Sequence, residues 1–245
     1  MTTTALCQEK LCQEKLSDLL HAKLQSHLHR VEASALYRLA TANETDARTV
    51  ATLIKYILLE VFSYGPHVTE ATFTAIGRLP KDRPDLMRPM IIHDLSEVDH
   101  GEMALRDYIR LGGDEQFART RRITPESFCM SATCRLLATS EEPWSYLGYM
   151  YLFESLTPVL TERAQAILAA KNFPGDAKHF IDFHAKEDIG HSTLLSDLID
   201  RVVSEYPSAG PAIEYGFDCF AAVYPLPIWD AALRHAHAEL KGGGA

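Results

Sequence analysis

Strand-like sequence and long apolar runs are both scarce in this chain of 245 residues. Alternating β-branched stretches bounded by turns are nearly absent, whereas apolar residues recur at the three- and four-residue spacing of helices. No apolar run approaches the roughly 20 residues that cross a bilayer. These absences argue against a β-fold and a membrane-spanning protein, and they predict an all-α chain.

Excess positive charge and a recognisable cysteine motif are lacking as well, and we expect no leader sequence. The net charge of −9 argues against nucleic acid or an anionic membrane as a partner. The five cysteines are odd in number and scattered, without a C-x-x-C pattern, which argues against a disulfide framework or a zinc site. The N-terminus is polar and periodic, unlike a signal peptide. We therefore expect a cytoplasmic protein that acts on a small molecule, with a homodimer as the working expectation.

Proline and glycine divide the helical pattern without introducing a linker that would split the chain. Pro66 is expected to kink or restart the second segment, and Gly112-Gly113 to end the third. We expect a single domain over 1–245, with 1–20 as a helical N-terminal extension and 241–245 as a flexible tail. The predicted helical segments are 6–40, 47–76, 86–111, a shorter helix opening at 124–126, then 142–170, 174–203, 207–222 and 227–241.

Two imidazoles and two carboxylates stand within eight residues of the segment FIDFHAKEDIGHSTLL, residues 180–195. On a helix His184, Asp188 and His191 share one face. Glu187 is three residues from His184 and four from His191, so spacing alone does not choose between the two carboxylates. The apolar neighbours turn this cluster toward the core, where unpaired polar groups are costly unless a cation joins them.

One helix cannot close a metal site, and three other segments offer further ligands. SEVDHGEM supplies Glu97 and His100 at E-x-x-H spacing, and Glu154 stands alone in the apolar segment YLGYMYLFESLTPVL. The second segment offers Glu70, with Glu60 as a rival. A carboxylate from each of two helices and a carboxylate-x-x-His pair from each of two others is the pattern of a di-iron or di-manganese site in a helix bundle.

These residues resemble the heme-oxygenase-like di-iron oxidases and oxygenases, also called iron-containing redox enzymes. That family places a Glu on the first core helix, Glu-x-x-His on the second, Glu on the third and His-x-x-x-Asp-x-x-His on the last. The resemblance favours Asp188 over Glu187 and Glu70 over Glu60, and it implies a seven-helix heme-oxygenase-like bundle. The metal ligands that it implies are Glu70, Glu97, His100, Glu154, His184, Asp188 and His191.

The resemblance also implies a function. Two Fe(II) ions, with O2 as co-substrate, would oxidise a small amino or fatty acid by desaturation or C–C cleavage through a peroxo-di-iron species. N-oxygenating members carry a further carboxylate about three helical turns before the second-helix His. Residues 88–92 contain no acid, which argues against N-oxygenation. An N-oxygenase of an amino-acid derivative is therefore kept only as the alternative. A ferritin-like di-iron protein, a cofactor-free or heme-binding member of the same bundle, and a non-enzymatic interaction protein are further alternatives.

No catalytic residue beyond the metal ligands is predicted, but a substrate pocket is. Lys55 and Arg88 are candidates to bind a substrate carboxylate. His93 stands four residues before Glu97 and is a ligand, a substrate contact or a packed core histidine. The predicted substrate-contacting residues are Lys55, Tyr64, His93, Tyr146, Met150 and Tyr151.

Overall fold

The computed structural model describes residues 15–140, 142–171, 173, 175–187 and 189–242. These residues form α-helices, one short 3-10 helix (Gly175–Ala177) and no β-strand, as the sequence predicts. None of the described helices is both long enough and apolar enough to cross a membrane. The helices are α1 (Leu16–Glu32), α2 (Ala35–Thr41), α3 (Ala47–Ile76), α4 (Pro84–Glu97), α5 (His100–Arg110), α6 (Glu115–Thr120), α7 (Pro125–Thr139), α8 (Ser145–Ala170), α9 (His179–Glu187), α10 (Ile189–Glu205), α11 (Ala209–Val223) and α12 (Leu226–Gly242).

The two longest helices, α3 and α8, organise the bundle. Helix α3 packs against α5, α7 and α12, and α8 packs against α9, α10 and α11. Helices α8 and α11 cross so closely that a Cβ atom at Gly148 would lie 1.8 Å from the carbonyl oxygen of Ile213. A Cβ atom at Gly216 would lie equally close to the carbonyl oxygen of Ser145. Only glycine fits these two positions, so the crossing is specified by sequence.

The breaks between helices differ from the prediction in two ways. Helix α3 continues through Pro66, where an interruption was expected. Because α3 packs along its length against three other helices, burial of its apolar face outweighs the one hydrogen bond that Pro66 removes. The predicted segments 6–40 and 86–111 each contain a break, at Ala33–Ser34 and at Val98–Asp99. Such breaks are why the described residues form more helices than the seven expected.

Candidate metal centre

Five helices bring histidine and glutamate side chains together in the interior of the bundle. Helix α4 ends, and α5 begins, within this cluster, so the E-x-x-H pair spans the break between two helices. Most members of the cluster are buried, and only Glu97 and His191 are half-buried. The clustered residues are His93 and Glu97 of α4, His100 of α5, Glu154 of α8, His184 of α9 and His191 of α10.

Glu97 stands between two groups of potential metal ligands. One group is His93, Glu97 and His191, the other is Glu97, His100 and His184, and within each the ligand atoms all lie within 4.8 Å of one another. The two carboxylate oxygens divide between the groups. Oε2 lies 2.5 Å from His100 Nδ1, and Oε1 lies 4.0 Å from His191 Nδ1. Glu97 is therefore the residue that the two groups share.

The orientation of His184 is set by the backbone of its own helix. Its Nδ1 lies 2.7 Å from the carbonyl oxygen of Phe180, which can only accept a hydrogen bond, so Nδ1 carries the proton. The lone pair of Nε2 then faces His100 Nδ1 at 3.0 Å, inside the cluster. Burial, reinforced by the neighbouring His100, lowers the pKa of His184 to about 4. A neutral, oriented imidazole is the form that binds a metal ion.

Asp107 fixes helix α9 against helix α5. Its buried carboxylate accepts a hydrogen bond of 2.7 Å from the backbone N–H of Phe180, near the start of α9. It is also paired with Arg110, with 2.9 Å between Nη1 and Oδ1. The sequence analysis did not single out Asp107. The available signal was its position two helical turns after His100, on the same face of α5.

Glu154 joins the cluster from the opposite side of the bundle. Its Oε2 lies 3.3 Å from His191 Nδ1 and 3.3 Å from His93 Nε2. Burial alone would raise the pKa of Glu154, but the adjacent imidazoles hold it below its usual value. The contact with His93 lies within hydrogen-bonding distance without the geometry of a hydrogen bond. Glu154 therefore adds a negative charge to the cluster, and its contact with His93 leaves Nε2 of that histidine without a hydrogen bond.

Two buried polar atoms of the cluster have no hydrogen-bond partner in the structure: Glu97 Oε1 and His93 Nε2. Leaving such atoms buried and unpaired is costly, and native proteins do so rarely. A divalent cation would remove this cost, since both atoms are metal-ligating types. Imidazoles combined with carboxylates suit iron. The residues present thus fit the iron ions that the sequence analysis predicts.

The structure does not bring Glu70 into this cluster. Its side chain is 60% exposed and forms an ion pair with Arg135 of α7. The neighbouring Thr69 and Thr72 line the cavity beside the cluster, and Glu70 projects from a different side of α3. The expectation that Glu70 is a ligand is therefore corrected, because its position on α3 turns it toward solvent. Asp188 lies outside the described residues.

A cavity of about 200 Å³ lies between α3, α4 and α8 beside the cluster. Of the predicted substrate contacts, Tyr64, His93 and Met150 line it. Tyr146 lies behind the wall, where its hydroxyl donates to Thr72 Oγ1. The apolar residues lining the cavity include Val61, Phe62, Val68, Met150, Phe153 and Leu160.

Two other predicted contacts lie away from the cavity. The ammonium group of Lys55 is bound by Glu239 of α12, with 2.6 Å between Nζ and Oε1. Tyr151 packs toward α11, with its ring centroid 6.4 Å from that of Phe217. The structure therefore does not bring Lys55 or Tyr151 to the cavity wall, because Glu239 binds one side chain and α11 contacts the other.

The cavity wall contains a carboxylate that the sequence analysis missed. Asp94 of α4 is 2% exposed, and its Oδ2 has no hydrogen-bond partner. Burial raises the pKa of Asp94 to about 7, against the opposing effect of Thr72. Its position three residues before Glu97 was the available signal, because that spacing places both on one side of a helix.

Comparison with known families identifies the protein class. Residues 55–224 match the family described as iron-containing redox enzyme. The chain belongs to this family. The match runs from within α3 to the end of α11, so it includes all six clustered residues, and the resemblance found in the sequence is confirmed. No curated protein matches the chain.

Solved structures establish the fold of this family member. A domain of unknown function with a heme oxygenase-like fold from Shewanella denitrificans OS217 is similar at a TM-score of 0.69 and 19% identity, over 94% of each chain. A TenA homolog from Pseudomonas syringae pv. tomato DC3000 has a TM-score of 0.69 and 13% identity, over 89% of this chain and 93% of its own. A TenA homologue from P. horikoshii OT3 has a TM-score of 0.61 and 15% identity, over 88% and 99%. The predicted heme-oxygenase-like bundle is confirmed.

Proposed function

We propose that this iron-containing redox enzyme is a non-heme di-iron oxidase or oxygenase. It would use O2 to oxidise a small carboxylic or amino acid, by desaturation or oxidative C–C cleavage. The observation that carries the proposal is Glu97, shared between two groups of ligands with one carboxylate oxygen toward each. Di-iron carboxylate proteins use glutamates and histidines from several helices in this way. Two Fe(II) ions bound there would supply the electrons that reduce O2.

The chain's own residues prepare the site for that chemistry. The Phe180 carbonyl holds the proton of His184 on Nδ1, which directs Nε2 into the cluster. Asp107 fixes the helix that carries His184. Glu97 and Glu154 supply negative charge to balance the cations. The apolar walls of the adjacent cavity limit the access of water to a bound substrate.

Asp188 stays in the proposed ligand set on the strength of the family resemblance. In the sequence it lies between His184 and His191, which both belong to the cluster. The proposed ligands are therefore His93, Glu97, His100, Glu154, His184, Asp188 and His191.

The proposal is tested by anaerobic titration of the metal-free protein with Fe(II), followed by mixing with O2 while visible absorbance is recorded. We expect saturation near about two Fe(II) per chain, as in other di-iron carboxylate sites. His100→Ala should reduce this by about one ion and His191→Ala by about one, because each belongs to a different group. Glu97→Ala should affect both ions.

The matched control is His67→Ala. His67 is a half-buried histidine of α3 that contacts Arg135 outside the cluster, so its removal should leave the stoichiometry unchanged. Binding of no Fe(II) above background would overturn the proposal in favour of a cofactor-free bundle. Uptake and storage of many iron ions per chain would favour the ferritin-like alternative. With two ions bound, O2-dependent oxidation of added amino or fatty acids would then define the reaction.

A further inference from the structure

Asp94 has the features of a ligand-binding group that lies outside both groups of metal ligands. It is buried in the cavity wall, and its Oδ2 lacks a hydrogen-bond partner. The carboxylate interacts with the Thr72 side chain, but this leaves Oδ2 without a hydrogen-bond donor. A buried carboxylate oxygen without a donor costs free energy, and a ligand bound in the cavity could supply that donor.

The other carboxylates of the described cavity wall contact either an arginine or the histidines of the metal cluster. Glu102 is bound by Arg119, with 2.9 Å between Oε1 and Nη1. Glu97 and Glu154 contact the histidines of the metal cluster. Glu97 Oε1 is also unpaired, but it belongs to both groups of metal ligands, whereas Asp94 belongs to neither.

Asp94 has no lysine or arginine partner in the described part of the cavity wall. Neither lysine nor arginine occurs among the described residues that line the cavity. Lys55, a sequence candidate for that role, is bound by Glu239, and Arg88 is exposed on α4. A substrate carboxylate placed beside Asp94 would meet a second negative charge in a poorly solvated space, which is unfavourable.

We propose that Asp94 determines specificity by binding an ammonium or other cationic N–H group of the substrate, whose apolar body lies along the α3 and α8 walls. A charged N–H donor would satisfy Asp94 Oδ2 with a charge-assisted hydrogen bond. Substrates with an anionic group at that position are rejected by the same carboxylate. This inference rests on the proposed function for the reaction, and it narrows the substrate to a molecule with a cationic nitrogen.

Binding of three simple probes tests the inference without turnover. Hexylammonium, 1-hexanol and hexanoate share an apolar chain and differ in the charge of the head group. Calorimetric titration of the metal-free protein near pH 8 should show hexylammonium binding at least about tenfold tighter than 1-hexanol. Hexanoate should bind most weakly. Trp229 lines the cavity, so its fluorescence provides a second readout.

Variants assign that preference to one residue. Asp94→Asn keeps the shape of the side chain and should remove the preference for hexylammonium over 1-hexanol. Glu102→Gln is the matched control, because Glu102 also lines the cavity but is paired with Arg119, and it should retain the preference. A preference that survives in Asp94→Asn, or is absent from the wild type, overturns the inference.

A measurement on the wild-type protein covers the case in which Asp94→Asn does not fold. After anaerobic loading with Fe(II), the charges of Glu97 and Glu154 are balanced by metal, whereas Asp94 is not a proposed ligand. The preference for hexylammonium should therefore persist in the loaded protein, and its disappearance on loading would overturn the inference. Failure of Fe(II) to bind would count against the proposed function, while the metal-free titrations would still decide the role of Asp94.

Discussion

Two buried polar clusters in this bundle handle their carboxylates in opposite ways. Glu60 of α3 is fully buried, and both of its oxygens are satisfied by the protein. Arg121 donates to Oε1 at 2.6 Å, while Thr124 and Ser127 donate to Oε2 at 2.6 and 2.7 Å. Glu97, by contrast, has one buried oxygen without any donor. The protein supplies donors to both oxygens of Glu60, whereas one oxygen of Glu97 is left without a donor.

The two glutamates differ in the partners that the protein supplies to them. Both glutamates lie in helices, and Glu60, the more buried of the two, is the one whose oxygens all have donors, so burial alone does not reveal an unsatisfied site. What separates them is the neighbourhood, since Glu60 faces an arginine and two hydroxyls, whereas Glu97 faces only imidazoles. Carboxylates and imidazoles grouped without a lysine or arginine suit a divalent cation.

The largest expected effect is the loss of stability on removing Glu60. Glu60→Ala leaves Arg121, whose side chain is 6% exposed, as a buried charge without its partner. Breaking a buried ion pair in this way costs about 3–5 kcal/mol of unfolding free energy. Urea denaturation of the metal-free variant measures the loss. Glu97→Gln is the comparison, with an expected change within about 1 kcal/mol, because it leaves no buried charge behind. Equal losses in the two variants would contradict the distinction.

The next effect concerns stabilisation by metal. If Fe(II) binds only the folded cluster, free Fe(II) at about 100 times its dissociation constant should stabilise the protein by about 2.7 kcal/mol. Glu97→Gln should abolish most of this gain, whereas Glu60→Gln should retain it. Anaerobic thermal or urea unfolding with and without Fe(II) gives both values. An unchanged gain in Glu97→Gln would show that the ion binds elsewhere.

The third effect is the dependence of stability on pH, to which His184 of the metal cluster contributes. The pKa of His184 is lowered to about 4 in the folded protein, below the unperturbed value of 6.5, chiefly by burial. The unfolded chain therefore binds a proton that the folded chain does not, between about pH 6.5 and 4, and stability falls as the pH falls through that window. The contribution is about 2 kcal/mol between pH 7 and 4.5. His184→Gln should reduce the slope in metal-free protein, and identical pH profiles for variant and wild type would contradict this cause.

Much of the fold was predictable because it depends on local signals. Periodicity predicts the all-α class, and Thr124-Pro125 predicts the start of α7, where the Thr124 side chain accepts from Ser127 N–H. Spacing also predicts that His184 and His191 share a site with Glu97, His100 and Glu154, and the structure brings these residues together.

The details that could not be predicted depend on contacts between distant segments. In the sequence, Glu60 and Glu70 are equivalent acids of one helix. In the structure Arg121, 61 residues after Glu60, binds Glu60, and Arg135, 65 residues after Glu70, binds Glu70. Asp107 was missed for the same reason, because its role appears only when α9 packs against α5. The role of each carboxylate therefore depends on its partner from a distant segment, and not on its residue type.

The smallest expected effect tests the assignment of Glu70. Its ion pair with Arg135 lies on the surface, where such pairs contribute about 0–1 kcal/mol, so Glu70→Gln should barely change the free energy of unfolding. The variant should also bind about two Fe(II) per chain, like the wild type, because the carboxylate lies outside the cluster. The family resemblance leads to the opposite expectation, that one ion is weakened or lost. Parallel Fe(II) titrations of Glu70→Gln and Glu154→Gln therefore decide between the two, since Glu154 contacts both His93 and His191 and its variant should lose iron under either view.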